Sequence, residues 1–150
     1  MKIFEPHHDG SELYVSNSAP HIGESVELSL RVPIKDKSSR VFVRFFHDGE
    51  PRTLEMKIKN KYPHEIWWSA QLQILNTVTH YRFQLVDAKS YRWLNGVGVF
   101  AHDVTDREDF QIIAKPRYPH WIQSAVFYQI FADRFAKSET PVAIPDWAVP

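Results

Sequence analysis

The sequence predicts an all-β protein built as an antiparallel β-sandwich. Apolar residues recur at every second position through residue 113, which is the period of a strand with one buried face. About seven such segments are separated by turn signals at intervals of roughly 8–12 residues, the spacing typical of a sandwich. No segment of useful length with helical periodicity precedes residue 120. These observations together favour two packed antiparallel sheets.

The first strands are predicted from the alternation of apolar and polar residues. The stretch SVELSLRV, which Pro33 ends, has one apolar face: Val26, Leu28, Leu30 and Val32. The stretch VFVRFFHDG has Asp48-Gly49 as a turn signal and an inward face of Val41, Val43 and Phe45. LEMKIK predicts one further strand with Leu54, Met56 and Ile58 inward. ELYVSN near the N-terminus is a candidate for another.

The later strands follow the same pattern. EIWWSAQLQI predicts a strand with an inward row of Ile66, Trp68, Ala70 and Leu72. HYRFQLVD predicts a strand with an inward row of Tyr81, Phe83 and Leu85. The short stretches SYRWL and DFQIIA complete the set.

The character of the sequence changes at residue 115. In KPRYPHW, Pro116 and Pro119 favour an extended connector, because two prolines withhold two backbone donors from any sheet. We therefore predict a sandwich domain at residues 1–114, a linker at 115–120 and a separate segment at 121–150. In that segment, residues 125–131 are nearly all apolar, the pattern of a strand that is covered on both faces.

Composition and charge exclude several classes of function. Lysine plus arginine total 18 and aspartate plus glutamate total 18, so the clustered positive charge that nucleic-acid binding requires is not visible. The sequence contains no cysteine, which excludes disulfides and thiolate metal sites. No run of about 20 apolar residues is present and no signal peptide fits the N-terminus. We expect a soluble cytoplasmic protein with no nucleic-acid or membrane partner.

Aromatic residues make up 14% of the chain, and four positions are candidates for binding carbohydrate. Alternation places Trp67 on the face opposite Trp68, where an exposed indole suits stacking against a sugar ring. Cover by a loop or a partner subunit is the alternative. Phe46 and His47 precede the Asp48-Gly49 turn, so Phe46 can join Trp67 in one aromatic patch or pack the end of a hairpin. Trp93 is either a ligand platform or, more commonly for such a residue, part of a core or turn.

Metal and catalytic motifs do not emerge from the sequence. The eight histidines lack the spacing of zinc ligands, and His7-His8-Asp9 are adjacent. The acids Asp103, Asp106, Glu108 and Asp109 lack the alternate spacing and glycine of a calcium loop, so we expect them to form turns. No nucleophile elbow, phosphate loop or placed carboxylate pair is present. We expect no metal, no cofactor and no catalytic residue.

The segment AVFYQIFADRFA resembles the first barrel strand of the α-amylase family, glycoside hydrolase family 13, where V-F-Y-Q-I-F-P-D-R-F-A is typical. Ala132 stands in place of the usual proline. Residues 126–131 and 133–135 match the family form, and the barrel-strand signature among them is Tyr128, Gln129, Asp133 and Arg134. This resemblance implies that residues 121–150 are the start of a (β/α)8 barrel.

The preceding segment, residues 93–112, is similar to the end of the N-terminal domain of neopullulanases, cyclomaltodextrinases, maltogenic amylases and maltodextrin glucosidases. Its Gly-x-Gly-x-Phe pattern lies at Gly96, Gly98 and Phe100. In those enzymes the domain is an immunoglobulin-like β-sandwich, carbohydrate-binding module family 34. The resemblance thus implies an immunoglobulin-like sandwich, then a linker, then the isolated first strand of the barrel.

The resemblance also implies a function and its limits. The family's catalytic aspartate, glutamate and second aspartate follow later barrel strands, so this chain is expected to be inactive within a parent that hydrolyses α-1,4-glucans. Its N-terminal domain would bind an α-glucan oligosaccharide, dock on its own barrel and help to form a homodimer, with Trp67 and the Phe46-His47 turn as candidates for that surface. Many relatives bind calcium after the first strand. The stretch KSETPVAIPDW has only two acids, Glu139 and Asp146, so that site is expected to be absent or altered.

Three functions compete at this point. The first is the substrate-selecting and dimerising module just described. The second is a freestanding sugar-binding module, which would not carry a barrel strand. The third is a docking domain of the same enzyme without sugar affinity.

Limited proteolysis tests the predicted boundary. A lone barrel strand lacks its covering helices and neighbouring strands, so residues from about 121 onward should be disordered or pair with another chain. We expect rapid cleavage near Lys115 or Arg117 that leaves a stable core. Mass spectrometry of the cleavage products identifies the cleaved bonds. Protection of the tail in the monomer would contradict this boundary.

Overall fold

A computed structural model describes residues 5–116 and 119–131 of the 150-residue chain. The chain divides into two compact units, Met1–Arg117 and Tyr118–Pro150, and the division falls within the predicted linker. None of the helices in the described part of the chain is long and apolar enough to cross a bilayer.

The first unit is an antiparallel β-sandwich, as the sequence predicts. The described residues form nine strands: β1 Ser25–Pro33, β2 Arg40–His47, β3 Glu50–Glu55, β4 Lys57–Lys61, β5 Glu65–Gln73, β6 Val78–Val86, β7 Tyr91–Leu94, β8 Val99–Phe100 and β9 Phe110–Ile113. One sheet has three strands in the order β1-β5-β4. The other has six, in the order β3-β2-β6-β7-β8, with β9 also paired to β6. A short 3₁₀ helix, Asp106–Glu108, precedes β9.

The core lies between the two sheets and is formed by the predicted alternating rows. The rows on β1 and β6 are almost completely buried: Val26, Leu28, Leu30, Val32, Tyr81, Phe83 and Leu85. On β5, Trp68, Ala70 and Leu72 are buried, while Ile66 is half-buried. On β2, Val41 and Val43 are buried and Phe45 packs against the core from a partly buried position. Burial of such rows is the main favourable term in forming the sandwich.

The predicted strand LEMKIK is wrong as a single element. β3 pairs with β2 in the six-stranded sheet, whereas β4 pairs with β5 in the three-stranded sheet. Met56, at the crossing point, is 2% exposed, and its backbone N–H donates to the carbonyl of Val41 over 2.8 Å. Ile58, predicted to point inward, is 43% exposed. The chain changes sheets at Met56, so its alternation does not describe one continuous face.

The candidate strand ELYVSN is also wrong. Residues 11–14 form a turn, and Val15 makes one isolated antiparallel bridge with Leu28. A second bridge joins His7 to Arg31. The N-terminal segment, residues 5–16, therefore runs beside the free edge of β1 and pairs with it through these two bridges.

His8 attaches the N-terminal segment to the core. It is buried, and its Nδ1 atom lies 2.8 Å from the carbonyl oxygen of Ser29. A carbonyl can only accept, so Nδ1 donates, and Nε2 accepts from the Tyr81 hydroxyl over 2.8 Å. Burial lowers the pKa of His8 from 6.5 to about 4 and raises that of Tyr81. Packing therefore favours the neutral imidazole, and this tautomer satisfies both ring nitrogens.

The second unit does not contain the predicted strand in its described part. Residues His120–Ser124 form a 3₁₀ helix, and residues 125–131 have no regular secondary structure. Val126 and Phe127 are largely exposed. A strand that is meant to be covered on both faces needs neighbouring strands for its hydrogen bonds, and this stretch has none among the described residues.

The change of sheet at Met56 gives a matched test. Met56→Ala should lower the free energy of unfolding by about 2–5 kcal/mol, because it leaves a cavity in the core. Ile58→Ala should cost less than about 1 kcal/mol, because that side chain is largely exposed. Urea denaturation of both variants measures the difference. Equal losses would contradict the assignment of β3 and β4 to different sheets.

The buried His8 predicts acid sensitivity. Its folded pKa of about 4 lies below the unfolded value of 6.5, so between these pH values only the unfolded chain takes up the proton. This contribution is complete above pH 6.5 and is lost as the pH falls towards 4. The free energy of unfolding should fall by about 2 kcal/mol between pH 7 and pH 5 for this reason.

Urea denaturation at pH 7 and pH 5 measures that loss. His8→Gln removes the titrating group and should remove most of the difference in unfolding free energy between the two pH values. The exposed His64 provides the control, since His64→Gln should leave the difference unchanged. A wild-type dependence that persists in His8→Gln would assign it to other groups.

Candidate functional site

Trp67 lies on the outer face of the three-stranded sheet, opposite the buried Trp68. Its position on this face follows the predicted alternation. Trp67 is only half-exposed, however, because the ring of Tyr14 stacks on it with centroids 5.3 Å apart and planes inclined by 17°. The N-terminal segment therefore supplies the cover that the sequence left as an alternative.

Two charged side chains accompany Trp67 on this face. Its indole Nε1 donates to Glu65 Oε1 over 2.8 Å, and Glu65 Oε2 lies 3.5 Å from Arg31 Nη1. Arg31 is only 5% exposed, and within the described residues its Nε and Nη2 atoms have no hydrogen-bond partner. Burial raises the pKa of Tyr14, and the nearby Arg31 acts in the opposite direction. An indole, a carboxylate and a guanidinium with unused donors are thus grouped together.

Sequence reasoning missed Arg31, Glu65 and Tyr14 as partners of Trp67. Alternation alone places Arg31 on the outer face of β1, but it cannot show which residue of another strand lies beside it. The pairing register of β1 and β5 shows which residue this is, because Arg31 is opposite Trp67. The only available sequence signal was the spacing of Glu65 and Trp67, which are two residues apart on β5 and therefore point to the same face of the sheet.

Phe46 and His47 lie at the end of β2, away from Trp67. Phe46 points to the outer face of the six-stranded sheet, where the Arg44 guanidinium is 4.4 Å from its ring centroid. His47 is half-buried and its Nε2 lies 3.6 Å from Asp48 Oδ2. Since the two sheets face each other across the core, their outer faces are on opposite sides of the sandwich. Phe46 and Trp67 therefore lie on opposite outer faces and do not form the joint patch that the sequence left open as one of two alternatives.

Trp93 also lies on the outer face of the six-stranded sheet. Its Nε1 donates to Asp103 Oδ1 over 3.0 Å, and the Tyr91 hydroxyl donates to the same oxygen over 3.0 Å. These two bonds lower the pKa of Asp103. The Arg82 guanidinium lies 5.1 Å from the Trp93 ring centroid. Trp93 is thus held by a carboxylate at its edge and a cation over its face.

Arg82 holds the loop that carries the acidic residues. Although it is on the outer face of β6, it is only 3% exposed. Its Nη1 donates to the carbonyls of Val104 and Thr105 over 2.8 and 3.0 Å, and its Nη2 pairs with Asp106. Asp109 Oδ1 lies 3.4 Å from Nη1, and burial raises the pKa of Asp109. Asp106 and Asp109 therefore compensate a buried arginine.

No group of three His, Cys, Asp or Glu side chains is arranged to hold a metal ion among the residues that the structure describes. Of the barrel-strand signature, Tyr128 and Gln129 are in the described part of the second unit, where Tyr128 is 78% exposed. Asp133 and Arg134 lie outside the described residues.

Comparison with known proteins bears on the fold. No family model matches the sequence. A solved structure of a cyclomaltodextrinase matches with a TM-score of 0.63 and 17% identity, over 85% of this chain and 23% of that one. A maltogenic amylase from S. marinus matches with a TM-score of 0.53 and 17% identity, over 89% of this chain and 18% of that one. This chain thus spans less than a quarter of either enzyme and shares the fold of a part of each.

Proposed function

We propose that this chain is the N-terminal β-sandwich module of an α-amylase-family enzyme that acts on α-1,4-glucans such as maltodextrins, cyclodextrins and pullulan. The observation that carries the proposal is the fold shared with part of a cyclomaltodextrinase. The sequence after the sandwich supports it, because residues 125–136 resemble the first strand of that family's barrel. The hydrolytic activity belongs to the parent enzyme, since its catalytic acids would follow later barrel strands.

The module's own role is to bind α-glucan oligosaccharide and so assist substrate selection. Trp67 supplies a flat apolar surface of the kind that packs against the C–H face of a pyranose ring. Glu65 is partly exposed and brings a carboxylate that can accept from sugar hydroxyls, while the buried Arg31, whose Nη1 lies 3.5 Å from Glu65 Oε2, holds that carboxylate beside Trp67. Trp93 and the Phe46-His47 turn remain further candidates on the other side of the sandwich.

The parent enzyme is proposed to be a cytoplasmic homodimer in which the module also contacts its own barrel. A docking module without sugar affinity is the second candidate. Tyr14 favours this second candidate, because it covers one face of Trp67 and thereby reduces the area available to a sugar.

Tryptophan fluorescence of the chain, titrated with maltoheptaose or β-cyclodextrin, separates these candidates. Binding at Trp67 should change the fluorescence, and Trp67→Ala should weaken that binding by about tenfold or more, as expected for loss of one stacking ring. Trp67→Phe should weaken it less, because it keeps an aromatic ring, although a smaller one, and loses the Nε1 donor that bonds Glu65. Trp121→Ala is the matched control, since Trp121 is 61% exposed and lies in the other compact unit.

Thermal denaturation of each variant establishes that it is folded before affinities are compared. Unchanged affinity in a folded Trp67→Ala variant would exclude Trp67 as the platform. No fluorescence change at millimolar ligand would favour the docking module over the sugar-binding one.

A further inference from the structure

The turn between β7 and β8 separates two clefts that sequence reasoning did not anticipate. The larger has a volume of about 550 Å³ and lies between this turn and residues 5–9. The smaller has a volume of about 280 Å³ and lies between the turn and residues 100–108. Asn95 and Val97 line both clefts, and Val97 is 65% exposed. The larger volume is within the range of small-molecule sites.

The larger cleft has one polar and one apolar wall. His7 and Asp9 form the polar wall, with Nε2 and Oδ2 3.7 Å apart and both side chains partly exposed. Leu94, Val99 and Phe110 contribute apolar surface. An imidazole that can donate therefore stands beside a carboxylate that accepts, opposite a surface suited to C–H groups.

The smaller cleft repeats this chemistry. The rings of Phe100 and His102 meet edge to face, with centroids 5.5 Å apart. Asp103 and Glu108 bring carboxylates to the same cleft. Asp103 is the residue that accepts from Trp93, so one of the aromatic candidates from the sequence is directly connected to this cleft.

The turn between the clefts is internally braced. Asn95 Oδ1 accepts from the backbone N–H groups of Val97 and Gly98 over 3.1 and 3.3 Å. The N–H of Gly96 donates to the carbonyl of Glu108 over 2.8 Å, and a Cβ at Gly96 would lie 3.1 Å from that oxygen. A wall that is already ordered costs less entropy when a ligand binds.

We propose that the two clefts form one groove that binds a neutral oligosaccharide across Val97, as a second site separate from Trp67. The inference rests on the proposed α-glucan-binding function and adds a location to it. Carboxylates in both clefts disfavour an anion, and the polar walls disfavour a purely apolar ligand. The described residues hold no group of side chains arranged to bind a metal ion, which disfavours a metal as the ligand. Alternating hydroxyl and C–H surfaces of a glucan match both walls.

Nuclear magnetic resonance of the ¹⁵N-labelled chain, titrated with maltoheptaose, tests the groove. Backbone amides of Val97, Gly98, His102 and Asp103 should shift with ligand concentration, and they should still shift in Trp67→Ala. His7→Ala and His102→Ala should each raise the Kd measured from these shifts by about threefold or more, as expected for one lost hydrogen bond. His64→Ala is the matched control, because His64 is exposed and lines neither cleft.

The outcomes distinguish this inference from the proposed function. Shifts confined to the surroundings of Trp67 would overturn the groove and leave α-glucan binding intact. Shifts at the groove that vanish in a folded Trp67→Ala variant would also overturn a separate site. Unchanged Kd values in both histidine variants would show that neither His7 nor His102 contacts the ligand, and would overturn the groove. No shift at any amide would overturn sugar binding by this module altogether. His102 is exposed, so His102→Ala tests the groove without depending on a residue that supports the fold.

Discussion

Strand β6 holds the six-stranded sheet together. β2 pairs along one of its edges, while β7 and β9 share the other edge, one beside each half of the strand. Its inward side chains, Tyr81, Phe83 and Leu85, are fully buried against the facing sheet. Tyr81 also donates to His8, so the same row ties the N-terminal segment to the core. Disruption of β6 would therefore affect three strand pairings and the attachment of residues 5–16 together.

The outer face of β6 organises the candidate groove. Arg82 is buried there because the loop after β8 folds over it and offers two carbonyls and Asp106. A buried guanidinium is costly unless such partners surround it, so the loop is held in one place. That loop contributes His102, Asp103 and Glu108 to the smaller cleft. One strand thus supports the core through one face and a concave surface through the other.

Adjacent aromatic residues have different surroundings in this sandwich. Trp68 is buried in the core, while Trp67 on the other face is stacked by Tyr14 and bonded to Glu65. Phe46 and Trp93 lie on the far side of the sandwich, each with an arginine over its ring. Two separate surfaces are consequently available to a ligand, and the Trp67 surface depends on the position of the N-terminal segment.

The sequence by itself determined the fold class, most of the strands and the inward rows of β1, β2, β5 and β6, because burial of one face imposes a period of two. It also placed Trp67 opposite Trp68. Only the tertiary structure decided that the chain changes sheets at Met56, that Tyr14 covers Trp67 and that Phe46 is remote from it. It likewise brought Arg31 beside Trp67 and residues 5–9 beside the turn at Asn95. These features depend on contacts between residues far apart in the chain, which local periodicity does not encode.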